Sequence, residues 1–194
     1  MNHGKLILLI GPTGSGKSTL MKAAIAAHPE LVIPYSYTTR ARRADHIEND
    51  HYRFISREEF ERRADAGEFL EHAEYGGNCY GTLKGEVLAD IEAGKVLLKE
   101  MEVQGARQVH ALLPKDRVVA VFIDAGSWEE LTKRVHAREP MDQEQLAKRR
   151  HRYEDEITFK PEADVVIDNT SDREGAKAHF LDLVQSALTE AHSA

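Results

Sequence analysis

An α/β fold, built on a parallel sheet with helices on both faces, is predicted by three observations. Apolar, strand-like runs near residues 6, 32, 97, 120 and 166 alternate with helical segments, as in repeated βαβ units. The first run, Leu6-Ile7-Leu8-Leu9-Ile10, enters Gly11-Pro12-Thr13-Gly14-Ser15-Gly16-Lys17-Ser18-Thr19 and then a helical stretch from Leu20 to Ala27. Strand, glycine-rich loop with Lys-Ser and helix together are the context that a phosphate-binding P-loop requires. The alternation breaks once, over residues 35–83, where a compact strand-helix-strand pattern intervenes. The expected architecture is a three-layer α/β/α P-loop core, an inserted small α+β domain and a mobile lid. The expected boundaries are core 1–34, insertion 35–83 and core 84–194, with the lid at about 136–146.

Length and charge agree with this class. A chain of 194 residues is long enough to bury a sizeable core. Its net charge of −7, from 33 acids against 26 Lys and Arg, argues against general nucleic-acid binding. Basic residues cluster only at 40–43 and 133–152, which in an acidic protein suggests small phosphorylated ligands. A single cysteine, Cys79, excludes an intrachain disulfide, and no apolar run approaches a membrane span. A soluble cytoplasmic protein is the expectation, with no membrane and no nucleic-acid partner; monomer and homodimer both remain open. Ten histidines lack zinc-ligand spacing, and His46 and His51 read as part of a solvated loop.

Each element has its own justification. The helix after the P-loop stops before Pro29. Leu31-Val32-Ile33 reads as a short second strand, 34–43 as a polar, basic stretch and 44–51 as a charged, turn-like loop. Tyr52-Arg53-Phe54-Ile55 alternates as a strand does. Ser56-Arg57-Glu58-Glu59 is a capping box opening a helix that ends at Gly67. Phe69 to Tyr75 is a strand before the turn Gly76-Gly77-Asn78. Thr82 is placed to cap a helix carrying Val87, Leu88 and Ile91 on one face. Val96-Leu97-Leu98 is a buried strand, 104–113 a helix stopped by Pro114, and Val118 to Ile123 a central parallel strand. Ser127-Trp128-Glu129-Glu130 caps another helix, Asp142 with Gln145 caps a basic helix to about Ile157, and Val165-Val166-Ile167 is the last strand. Ser171-Asp172-Arg173-Glu174 reads as a third capping box before an amphipathic helix with Phe180, Leu181, Val184, Ala187 and Leu188 inward.

Ligands of such a sheet sit beyond the carboxyl ends of its strands, where the P-loop, Glu100 and Asn169 all fall. Glycines at 11, 14 and 16 let backbone N–H groups turn inward as an anion cradle. Lys17 would reach the β- and γ-phosphates of a nucleotide, and Ser18 would hold Mg²⁺. Glu100, an acid at a strand end, is the expected second partner of that ion. Arg40, Arg42 and Arg43, beside the hydroxyls of Ser36, Thr38, Thr39 and Tyr52, fit a bound phosphate. Arginines of 133–152 can close over phosphates, although Arg150 or Arg152 reads as solvated surface. Glu71 could accept two parallel N–H donors of a guanine, yet on its own reads better as a strand-edge charge.

Taken together these residues resemble the guanylate kinase family, over nearly the whole chain from Lys5 to the final helix. The matches are GPTGSGKST at 11–19, SYTTRARR at 36–43, HYRF at 51–54, EFLEHAE at 68–74, GNCYGT at 77–82 and VQGARQV at 103–109. The resemblance implies ATP-dependent phosphorylation of GMP, and of dGMP, to the diphosphate with Mg²⁺. It places Arg40, Arg43, Tyr52 and Tyr80 on the GMP phosphate, with Gly81 in the same motif, and Ser36, Glu71, Thr82 and Glu102 on the guanine. It assigns Lys17, Arg40, Arg138 and Arg149 to catalysis, with Arg134 in support, and Asn169 to the side of the ATP adenine. A family pattern like LDIDVQG meets Lys99-Glu100-Met101-Glu102-Val103-Gln104-Gly105 here, so both aspartates are lengthened by a methylene. Competing readings are a kinase of another small phosphorylated acceptor and a non-catalytic binding module; the intact Lys17-Ser18 pair argues against the second. A GTPase switch lacks support, because no NKxD-type motif is present.

Overall fold

Five strongly apolar residues in a row make β1 (Lys5–Ile10) a strand buried on both sides, and the core forms around it. The structure, a computed structural model, describes residues 4–42, 51–136 and 142–193. After β1 come α1 (Lys17–Ala27), β2 (Ser36–Thr38), β3 (Tyr52–Phe54), α2 (Arg57–Asp65), β4 (Phe69–Tyr75) and β5 (Asn78–Leu83). The rest is α3 (Lys84–Glu92), β6 (Val96–Glu100), α4 (Val103–Leu112), β7 (Val118–Asp124), α5 (Trp128–His136), α6 (Gln143–Ile157), β8 (Val165–Asp168) and α7 (Arg173–His192).

One four-stranded sheet, parallel throughout, has the order β6-β1-β7-β8. Alternate residues of β1 point to opposite faces. Leu6, Leu8 and Ile10 pack with Val87 and Ile91 of α3, Val103 and Val109 of α4, and Phe159. Ile7 and Leu9 pack with Leu20 and Ala24 of α1 and with Phe180, Val184 and Leu188 of α7. The result is the α/β/α sandwich that the alternating pattern predicts.

A second four-stranded sheet, order β3-β2-β5-β4, mixes parallel and antiparallel pairs and is built from residues within 36–83. Tyr37, Phe60, Phe69 and Leu83 form its own small core. It rests on α4: the His72 amide donates to Gln108 Oε1 at 3.0 Å, and Gln108 Nε2 donates back to the His72 carbonyl at 3.1 Å.

Four local expectations change. Residues 31–33 make no strand; Val32 forms a single parallel bridge with Leu97, although its N–H and C=O both pair, with Val96 O and Leu98 N. Ser36–Thr38, read only as part of a polar, basic stretch, is β2, held by non-local partners at Tyr52, Gly81 and Tyr80. Thr82 caps no helix: α3 starts at Lys84 after Leu83, without a side-chain cap. The cap of α7 is Asp172, whose carboxylate accepts the Gly175 N–H at 2.8 Å, rather than Ser171. The boxes at Ser127 and Asp142 form as read, with reciprocal bonds to Glu130 and Gln145.

Candidate active site

The turn from β1 into α1 needs backbone conformations that only glycine adopts easily. Gly16, the residue before α1, has φ 103°, and a Cβ there would strike the Asn169 amide. Asn169, at the end of β8, is buried, and its Nδ2 donates to the Ser15 carbonyl at 2.6 Å. It braces the loop from below, while its Oδ1 has no hydrogen-bond partner.

Lys17 is buried and folds back over the loop, donating to the Gly11 carbonyl and to the Pro12 carbonyl at 3.1 Å. Its Nζ lies 3.5 Å from Glu100 Oε1. The Ser18 hydroxyl donates to the other oxygen, Glu100 Oε2, at 3.2 Å. An ammonium, a hydroxyl and a carboxylate thus meet at the mouth of the N–H cradle. Two hard oxygen donors beside a phosphate cradle suit Mg²⁺, which takes one or two protein oxygens and completes its shell with phosphate and water. Among the described residues no cluster of three or more His, Cys, Asp or Glu offers a metal site of any other kind.

An open cavity of about 940 Å³ runs from Thr13, Gly14 and Gly16 past Lys133, Arg134 and Arg149 to Asn169. Arg134 is fixed at its edge by donating to the carbonyls of Asn169, at 2.9 Å, and Thr170. Arg149 is half-buried on α6 and faces the P-loop. Arg150 points away and pairs with Glu154, whereas Arg152 lies 4.5 Å over the Tyr75 ring and donates to its hydroxyl, tying α6 to β4. Glu156, also on α6, is pushed up to about 7 by burial, against the pull of Lys17 and of the Thr13 N–H.

The second sheet carries the other group. Arg40 is half-buried, with its guanidinium 5.4 Å over the Tyr52 ring, and its buried Nε has no hydrogen-bond partner. The Tyr52 and Tyr80 rings lie 6.3 Å apart. An arginine donor held in reserve beside two phenols is a ready anion site. A few residues away the Thr82 hydroxyl, 1% exposed, donates to Glu71 Oε1 at 2.5 Å. Gly81 is required by a close approach, since a Cβ would come within 2.8 Å of Phe69 and 3.0 Å of the Glu71 carbonyl. Ser36 Oγ accepts from Lys99 Nζ at 2.8 Å. Glu102 stands exposed just before α4.

Most of the expected site residues therefore gather in two clusters joined by the end of β6. Arg43 and Arg138 lie outside the described residues, as do 137–141 of the expected lid. Lys99 and Glu156 were missed. The one available sign of Lys99 was a charge inside an apolar strand, Val96-Leu97-Leu98-Lys99, and for Glu156 its place two turns beyond Arg149 and one beyond Arg152 on the same helix.

Comparison with known proteins gives one family throughout. The family model "Guanylate kinase" matches residues 3–187. The chain is 45% identical over 168 residues to a guanylate kinase of Trichormus variabilis, spanning 87% of this chain and 83% of that one. It is 38% identical over 185 residues to that of Rubrobacter xylanophilus, spanning 95% of each. The crystal structure of guanylate kinase from Anaplasma phagocytophilum superposes with a TM-score of 0.72 at 28% identity, over 96% of this chain and 87% of that one.

Proposed function

The chain belongs to the guanylate kinase family, and from this premise we infer how its residues divide the work of moving a phosphoryl group from ATP to GMP, yielding ADP and GDP. A single observation carries the division. Adjacent residues of β6 reach opposite ways: Glu100 to Ser18 and Lys17 in the P-loop, Lys99 to Ser36 in the second sheet. The two nucleotides thus lie on either side of one strand end.

ATP binds with its phosphates in the P-loop amides and its adenine side toward Asn169 and Arg134. GMP binds on the second sheet, its phosphate on Arg40, Tyr52 and Tyr80 and its base against Ser36, Glu71, Thr82 and Glu102. An oxygen of the GMP phosphate attacks the γ-phosphorus in line, and the bond to the β-phosphate oxygen breaks as ADP leaves. The attacking oxygen is already anionic, so positioning and charge neutralisation supply the catalysis rather than a general base. Lys17 neutralises charge on the β- and γ-phosphates, and Arg149 does so from the α6 side. Ser18 and Glu100 would hold Mg²⁺, which when bound adds further neutralisation of the phosphates. Among the described residues no helix is long and apolar enough to cross a membrane.

The test is ADP formation from ATP and Mg²⁺ with GMP, AMP, CMP or UMP as acceptor. GMP is expected to be preferred by orders of magnitude. Equal rates with all four acceptors would remove the assignment of the second sheet.

A further inference from the structure

Lys99 is an ammonium placed where the fold wants a hydrocarbon. Its strand neighbours Leu97 and Leu98 and its β1 partner Leu8 are all fully buried, and Lys99 itself is only 7% exposed. The family pattern quoted above has leucine at this position. Burial of a charge is costly unless hydrogen bonds and nearby charge offset it. Here the offset comes from one side: Nζ donates to Ser36 Oγ at 2.8 Å, the Pro34 carbonyl stands off at 3.5 Å, and the Glu71 carboxylate acts on the charge through space.

That bond constrains Ser36. An ammonium has donors and no acceptor, so Ser36 Oγ must accept, and its own proton turns away from Lys99. Ser36 is presented to a ligand as a donor. Glu71 is constrained in the opposite sense. Its Oε1 takes the Thr82 proton, and the carboxylate offers acceptor capacity at Oε2. A donor near an acceptor matches the edge of a 6-oxopurine, whose O6 accepts and whose N1–H donates. A 6-aminopurine has the reverse edge and would set its amino group against the Ser36 proton and the Lys99 charge.

We propose that Lys99 is a positioning residue that sets base specificity: it holds the Ser36 hydroxyl as a donor and places positive charge behind it, so the site takes a 6-oxo group and refuses a 6-amino group. The proposal rests on the reading of the second sheet as the GMP site.

Steady-state kinetics of the full chain would compare GMP with 2,6-diaminopurine riboside 5′-monophosphate. That acceptor keeps the 2-amino group and the phosphate and reverses only the edge in question. Lys99→Met is expected to raise the KM for GMP about tenfold, to leave kcat and the KM for ATP nearly unchanged, and to narrow discrimination between the two acceptors by about tenfold. Lys99→Gln, which keeps a donor without the charge, should restore part of that discrimination. Because Lys99 acts in part through Ser36, Lys99→Met combined with Ser36→Ala should lose less than the sum of the two single losses. Unchanged discrimination in Lys99→Met, or losses that simply add, would overturn the proposal. Should the unmodified chain itself ignore the base, the GMP reading falls first and the role of Lys99 falls with it.

Discussion

The Glu100 carboxylate accepts the Ser18 hydroxyl at 3.2 Å, joining the end of β6 to the first turn of α1. Its other oxygen faces Lys17 Nζ at 3.5 Å. The extra methylene of glutamate over the family's aspartate is thus taken up by direct reach to the P-loop. Glu100→Gln keeps the shape and removes the charge. It should lower kcat by about 100-fold, the scale of losing one preorganised electrostatic partner, and raise the Mg²⁺ concentration needed for half-maximal rate. A magnesium titration of the two proteins checks both.

Gly105 leaves room for the Glu71 carboxylate. A Cβ there would lie 2.9 Å from Met101 Cγ and 3.1 Å from Glu71 Oε2. Gly105→Ala should displace Glu71 and raise the KM for GMP about tenfold at an unchanged KM for ATP, with overpacking costing about 1–3 kcal/mol of stability. Acceptor and donor saturation curves, with a denaturant melt, separate these effects.

Burial pushes Lys99 down to about 8 from its ordinary 10.5, only partly opposed by Glu71. The unfolded chain therefore holds this proton more tightly than the folded one. The penalty is complete below pH 8 and is relieved between about 8 and 10.5, so this group makes stability rise with pH in that window. Lys99→Met should stabilise the chain at pH 7 by up to about 3 kcal/mol and flatten the rise, as read by urea melts at several pH values. A residue that weakens the fold while serving base selection is the expected sign of a functional charge.

Glu156 behaves oppositely. Burial raises its carboxyl from 4.5 to about 7, so the folded state binds the proton more tightly. Its contribution to stability is present below about pH 4.5 and is lost as pH rises through 7. Glu156→Gln should melt higher than the unmodified chain at pH 8, with the difference vanishing near pH 4.5 in thermal unfolding.

The P-loop was legible because its chemistry is contiguous: strand, glycines, Lys17 and Ser18 follow one another, and each residue type has one obvious use. Helix caps at Ser56, Ser127 and Asp142 were legible for the same reason. What escaped depends on partners distant in sequence. β2 is three residues long and exists through Tyr52, Tyr80 and Gly81. Thr82 carries a hydroxyl suited to a helix cap, and only the β4–β5 register, which sets Glu71 opposite Thr82, shows where its proton goes. Lys99 escaped because a lysine near a strand end is ordinarily solvated, and nothing within β6 reveals that Ser36 will cover it.

The proposed division of the site requires two nucleotides held on either side of the β6 end. Diffraction from crystals grown with GMP and a non-hydrolysable ATP analogue tests this directly. GMP is expected on the second sheet, with Arg40, Tyr52 and Tyr80 on its phosphate and Ser36, Glu71 and Thr82 on its base, and the analogue's phosphates over Lys17. A base bound away from Glu71, or Arg40 turned from the phosphate, would contradict it.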